Sequence, residues 1–292
     1  MKIYDFEAGE VLAFDKPLHW TSFNLVKIVR NNLSRRLGVK KLKVGHAGTL
    51  DPLASGVMII CTGKATKQID QLQAGTKEYI ATLRLGCTTA SFDAEHPVDA
   101  TFPTAHITRE MVEEGLKKFL GSIWQVPPVY SACKVEGRRA FDYVRQGEEV
   151  ELKAKELVID EIEMLDLHLP EQGIVSPHAQ EVVATVREGV NIKEGNGRKQ
   201  LLEHAEQGPV EEKLVEVTPE DCPYLQIRVV CSKGTYIRAL ARDIGQALGS
   251  GAYLIGLRRT RVGNISIEDC LAASDVEKWA AEVPIVEKEN NV

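Results

Sequence analysis

The chain has 292 residues, 43% of them apolar and 27% charged, with 23 glycines, 12 prolines, six cysteines and a net charge of −6. That length suits one large or two ordinary domains with a real core, and the composition excludes a collagen repeat, disorder along the whole length and a disulfide-stapled miniprotein. No apolar run reaches eighteen residues, and a start carrying Asp5, Glu7 and Glu10 lacks the basic and apolar regions of an export signal, so a cytoplasmic protein without a membrane span is expected.

The net charge hides a division. Residues 160–221 hold fifteen acids against five bases, and residues 268–292 hold seven against two. From Lys16 to Leu50 there are eight Lys or Arg and no acid, and from Arg228 to Arg261 seven bases face the single acid Asp243. Two basic stretches on an otherwise acidic chain point to a polyanion partner, because Lys and Arg displace the counterions condensed on phosphates. The cysteines form no Cys-x-x-Cys pair and no metal-ligand spacing with histidine, which implies reduced structural thiols and no metal.

Taken in chain order, Ser22 to Leu33 reads as an amphipathic helix, with Ser22 as cap and Leu25, Ile28, Val29 and Leu33 on one stripe. A glycine-rich turn follows from Gly45 to Pro52. Gly56 to Cys61 is a continuous apolar run that suits a buried strand. Glu78 to Leu85 alternates as a second strand. Thr108 caps a helix that should run to Leu120 and stop at Gly121, with acids at its start and lysines near its end. Tyr224 to Cys231 alternates as a strand, a turn at Ser232–Gly234 follows, and Ile237, Leu240, Ala241, Ile244 and Leu248 mark a helix ended by Gly249–Gly251. Arg238 and Arg242, four apart, share a face of that helix. Strands and helices mix without a βαβ rhythm, so an α+β fold with a mixed sheet is expected.

Several chemical readings fail on spacing. Gly63-Lys64 lacks the preceding glycine of a phosphate loop, and Ala65 replaces its hydroxyl residue. Gly195-x-Gly197 lacks a third glycine. Ser131-Ala132-Cys133-Lys134 has the Ser-x-x-Lys form of penicillin-binding hydrolases, but no Ser-Asp-Asn element accompanies it, and Lys233-Gly234-Thr235 has the wrong order for the third. The segment Gly45 to Gly56 is the best remaining candidate. Its glycines permit close approach of a ligand, and Asp51 is held extended by Pro52. A carboxylate there suits a nucleophile, a general base or a metal ligand, but on these residues alone an ordinary turn aspartate bonded to its own backbone is the favoured reading.

The twelve residues Gly45-His46-Ala47-Gly48-Thr49-Leu50-Asp51-Pro52-Leu53-Ala54-Ser55-Gly56 closely resemble the catalytic signature of the TruB-type pseudouridine synthases, which modify the T-loop uridine at position 55 of tRNA. Four further blocks agree in the family's order: Phe14-Asp15-Lys16-Pro17; Lys77-Glu78-Tyr79; Pro128 to Lys134, continuing through Gly137 and Phe141 to Arg145; and Ser232 to Arg238 followed by Gly256 to Thr260. The resemblance covers roughly residues 10–165 and 222–272. Ala47 and Ser55 stand where the usual signature carries threonines.

The resemblance implies a pseudouridine synthase fold, with a mixed curved sheet, flanking helices and an active-site cleft across the sheet. It implies that Asp51 attacks C6 of the uracil or C1′ of the ribose after base flipping, and that Arg238 pairs with Asp51. Tyr79 would stack on the uracil, and Tyr236 would help remove the C5 proton. His46 would fill the space left in the T-loop, Leu257 would line the pocket, and Lys16, Lys134 and Arg258 would contact the substrate. Arg242 and Arg259, with the basic stretch from Lys27 to Lys43, would meet phosphates. No cofactor and no metal are implied; the partner is the tRNA T-arm, and a monomer is expected. The expected domains are a catalytic domain over 1–272, with an acidic insertion at about 167–221 that should point away from RNA or gate access to it, and an acidic tail over 273–292, without the C-terminal PUA domain of many relatives. Two rival classes are an RNA chaperone that refolds tRNA with secondary catalysis, and the Ser131/Lys134 hydrolase.

Overall fold

The computed structural model describes residues 2–170 and 222–286. Its strands are β1 (Val11–Lys16), β2 (Val44–Ala47), β3 (Ala54–Thr62), β4 (Lys77–Leu85), β5 (Cys87–Thr89), β6 (Val98–Thr101), β7 (Gly121–Gln125), β8 (Lys134–Val135), β9 (Arg138–Arg139), β10 (Lys155–His168), β11 (Tyr224–Cys231), β12 (Ala252–Val262), β13 (Ile265–Ser266) and β14 (Leu271–Ala272). The α-helices among the described residues are α1 (Ser22–Leu37), α2 (Ile69–Ala74), α3 (Arg109–Lys117), α4 (Ala140–Arg145), α5 (Ile237–Ala247) and α6 (Val276–Glu282).

Ten strands form one mixed sheet in the order β14-β1-β3-β12-β4-β11-β10-β7, with β2 on β3 and β13 on β12. The β1–β14 and β3–β12 pairs are parallel and the others antiparallel. This is the expected α+β class.

All nine residues of β3 are buried, as its unbroken apolar run requires. Side chains alternate across a strand, so Met58 and Ile60 join a core with α1, α6, Leu12 and Phe14, while Val57, Ile59 and Cys61 join a second with Ala65 and Val262. The largest core lies on the side where α3 and α5 pack: Tyr79, Ala81, Leu83 and Leu85 of β4 and alternate residues of β11 meet Val112, Leu116, Leu240 and Ile244. Helix α1 is capped by Thr21, whose hydroxyl accepts from the Asn24 amide, and not by Ser22. It runs to Leu37 and closes on Gly38 at φ 65°. Thr108 caps α3 as expected, but the helix ends at Lys117, and Gly121 opens β7.

Residues beyond the expected boundary at 272 pack on the same core. Ala273, Val276, Ala280 and Val283 are buried in the core that holds α1, and the Trp279 ring meets Phe6 and Phe14 edge-on at 5.8 Å. Apolar burial on this scale ties 273–283 to the core. The acidic insertion falls mostly on residues outside those described. Its two ends are fixed: the chain leaves β10 beside its register partner on β11, His168 opposite Tyr224.

Candidate active site

Asp51 sits in the short connection between β2 and β3, and nearly every peptide around it is tied. The Ser22 hydroxyl accepts from the Leu50 amide and donates to the Leu50 carbonyl, each at 2.9 Å. Arg259, 1% exposed, donates from Nη2 to the Gly48 carbonyl at 3.1 Å, from Nη1 to Thr49 at 3.4 Å and from Nε to Val57 at 2.8 Å. The His19 amide bonds the Pro52 carbonyl at 2.7 Å, and the Ala54 amide bonds the Asp51 carbonyl at 3.0 Å. Gly48 lies at φ 103° with the Arg259 guanidinium close beside it, a conformation other residues rarely take. The loop is rigid while its carboxylate is not enclosed: the Asp51 side chain is 46% exposed.

Arg238, in the first turn of α5, meets that carboxylate with Nε at 3.2 Å from Oδ2. Its Nη1 lies 3.2 Å from Asp93 Oδ2 and donates to the Ser91 carbonyl, and its Nη2 donates to the Tyr130 carbonyl at 3.0 Å. A guanidinium carries five donors in a fixed plane, so these acceptors fix the plane and with it the direction in which Nε points. Asp93 is itself buried and takes the Ser91 hydroxyl at 2.5 Å and the Glu95 amide at 2.9 Å on Oδ1.

The other expected residues separate into two groups. Tyr79 is buried with Leu50 and Ala54, and Leu257 packs against the same core. On the sheet Tyr79 lies between Arg259 of β12 and Val229 of β11. Burial raises the Tyr79 phenol above its ordinary value, with the neighbouring Arg259 opposing. Tyr236 precedes α5 and gives its amide to the Gln125 side chain at 2.9 Å. His46 is half-buried on β2, and burial followed by the Arg259 charge lowers its pKa.

Lys16 stands differently from its expected substrate contact. It is wholly buried, and its ammonium donates to the Pro17 carbonyl at 2.8 Å and the Trp20 carbonyl at 2.7 Å. Burial lowers its pKa to about 8, with the Asp51 charge partly opposing. Arg259 is no phosphate contact either, since its donors hold the Asp51 loop. Arg242 is mostly buried against Asp243 at 2.7 Å and the Val126 carbonyl. Arg258 is half-buried in an ion pair with Asp15 at 2.6 Å. Lys134 is exposed on β8, remote in bonding from Ser131, whose hydroxyl accepts from the Cys133 amide.

Sequence reasoning missed Asp93, and it gave Arg259 and Ser22 other roles, a phosphate contact and a helix cap. One signal was available for Asp93: from Tyr79 to Ala94 it and Arg84 are the only charged residues, and a lone charge in an otherwise uncharged stretch is a candidate for burial with a partner. Among the described residues no cluster of three or more His, Cys, Asp or Glu could hold a metal, and no helix is long and apolar enough to cross a membrane.

Comparison with known proteins agrees with this geometry. The sequence model for the TruB family pseudouridylate synthase N-terminal domain matches residues 35–189, and that for the tRNA pseudouridylate synthase B C-terminal domain matches 238–288. The chain is 54% identical over 283 residues to tRNA pseudouridine synthase B of Phocaeicola vulgatus, covering 97% of this chain and 98% of the relative. It is 38% identical over 276 residues to the protein of the same name from Thermus thermophilus, covering 94% and 80%. Among solved structures, a chain in a Cbf5-Nop10-Gar1 complex superposes with a TM-score of 0.56 at 23% identity, covering 94% of this chain and 55% of that one, a likeness of fold alone. The second family match also runs across residue 272, in agreement with the packing of α6. With 54% identity across nearly its whole length and both family domains in order, the chain belongs to the TruB family of pseudouridylate synthases.

Proposed function

We propose that this protein converts a uridine of tRNA, the T-loop uridine at position 55, to pseudouridine, with Asp51 as the nucleophile. The observation that carries the reading is the Asp51–Arg238 pair: a half-exposed carboxylate on a clamped loop, aimed by a buried arginine at 3.2 Å. A nucleophile fixed in direction gains rate from orientation that a mobile side chain would lose.

The reaction is an isomerisation, so atoms balance within the substrate. Asp51 adds at C1′ or C6, the N1–C1′ bond breaks, the uracil turns, C5 bonds C1′, the bond to Asp51 breaks, and the C5 proton leaves to solvent while N1 gains one. The target base must leave the stack before a carboxylate can reach either carbon, at a cost of about a few kcal/mol. A hairpin loop, whose bases are partly unstacked, keeps that cost low. The exposed lysines Lys27, Lys40, Lys41 and Lys43 supply phosphate attraction, and the acid-free run from Lys16 to Leu50 adds no repulsion. Tyr79 and Leu257 supply the apolar wall for the extruded uracil, and Tyr236 takes part in loss of the C5 proton. The names of the relatives support tRNA as the substrate class.

The test is to incubate an unmodified tRNA transcript with the protein and map carbodiimide-stable adducts by primer extension. A single stop at the T-loop uridine is expected. Stops at other uridines would overturn the position, and no stop at all would overturn the activity.

A further inference from the structure

Two of the acceptors that hold Arg238, the carbonyls of Ser91 and Tyr130, come from segments far apart in the chain. The first segment, 91–96, follows β5 and is well tied by the Asp93 carboxylate, which binds both the Ser91 hydroxyl and the Glu95 amide. The second is tied on either side of Tyr130, where the Val126 carbonyl accepts from Arg242 at 3.2 Å and the Ser131 carbonyl accepts from the Phe141 amide at 3.3 Å. Tyr130 lies in no strand or helix, and it follows Pro127 and Pro128, which have no amide hydrogens to donate. Among the described residues its carbonyl bonds only Arg238.

One contact joins the two segments. The His96 and Tyr130 rings lie 4.4 Å apart, centroid to centroid, inclined at 43°. The His96 Nδ1 is buried and has no hydrogen-bond partner among the described residues, so on that side the ring works as a packing surface. We infer that His96 is a positioning residue: by packing on Tyr130 it holds the Tyr130 carbonyl against Arg238, and so fixes the direction from which Arg238 meets Asp51. This rests on the reading of Asp51 as the nucleophile. Without the ring, the Tyr130 carbonyl can move away, and the guanidinium plane loses one of the contacts that set it.

The experiment measures kcat, KM and the unfolding midpoint for wild type, His96→Ala, His96→Leu and His96→Phe on transcript carrying tritium at C5 of uridine. His96→Ala and His96→Leu should lower kcat about 10-fold with KM within about 2-fold, because orientation and not RNA affinity is lost. His96→Phe, which keeps a flat ring, should stay within about 2-fold of wild type. In an Arg238→Lys background, His96→Ala should add less than about 2-fold, since residues acting as a unit do not add. An unchanged kcat in His96→Ala, a loss confined to KM, an equal loss in His96→Phe, or the same factor in both backgrounds would each overturn the inference. A wild type that releases no tritium would instead remove the functional reading beneath it, a result distinguishable from all of these.

Discussion

Arg238 presents Nη1 to the Asp93 carboxylate at 3.2 Å, and both side chains are almost wholly withdrawn from water. The same guanidinium reaches Asp51 through Nε, so one buried cation is shared by a buried carboxylate and a half-exposed one. The buried partner sets the geometry, and the half-exposed one stays open to solvent.

Removing the buried charge should therefore impair the site without touching the proposed nucleophile. Asp93→Asn is expected to lower the unfolding free energy by about 3 kcal/mol, since it leaves Arg238 buried with half its compensation. It should also lower kcat about 100-fold with KM within about 3-fold. Urea unfolding and steady-state tritium release check the two effects, and a variant with wild-type kcat would show that Asp93 does not orient Arg238.

Ser22 tests the other side of the clamp. Its hydroxyl makes two bonds to Leu50, so Ser22→Ala leaves a buried amide and a buried carbonyl without that partner. The expected cost is about 2 kcal/mol of stability, with kcat down about 10-fold. Thermal unfolding together with kcat is the check; loss of stability with unchanged kcat would mean that Leu50 does not control the placement of Asp51.

Much of this was legible in the sequence, and the rest was hidden for physical reasons. The Asp51 loop, the Thr108 cap and the Tyr224–Cys231 strand stand where composition and alternation put them. Strand β10 was missed because bulges between Ile159 and Glu161 and between Met164 and Asp166 shift its register, which scrambles the period-two pattern. Strand β2 lay within what reads as a glycine turn, since only pairing with β3 makes Val44–Ala47 extended. Lys16 and Arg259 read as surface charges because nothing local marks a buried cation; the carbonyls that satisfy Arg259 lie some 200 residues away in the chain.

Lys16 gives a pH signature. Its pKa in the folded protein, about 8, lies below the ordinary value near 10.5 because burial disfavours the ammonium. Between those values the unfolded chain binds more protons, so this residue's contribution to stability rises with pH across the window and is least favourable below 8. Lys16→Met has no ammonium to titrate. The difference in unfolding free energy between wild type and Lys16→Met should move in favour of wild type by about 2 kcal/mol from pH 7.5 to 9.5, with other titrating groups cancelling. A difference that stays flat across that range would contradict the burial of the charge.

Gly56 joins the site to the sheet. It lies at φ 106° opposite Arg259 across the parallel β3–β12 pair, and a Cβ there would stand 2.1 Å from the Arg259 carbonyl oxygen. Gly56→Ala must push β12 away, and is expected to cost about 3 kcal/mol or more. Circular dichroism on heating is the check, and an unfolding midpoint equal to that of wild type would refute the close approach.

The central claim, that Asp51 is the nucleophile of a uridine isomerisation, is tested most directly by tritium release from a T-arm hairpin labelled at C5 of uridine, comparing wild type with Asp51→Asn. Stoichiometric release by wild type is expected, with none from a folded Asp51→Asn that still binds the hairpin. Release by the variant at a rate near that of wild type would contradict the assignment, and a wild type that binds the hairpin yet releases nothing would contradict the reaction itself.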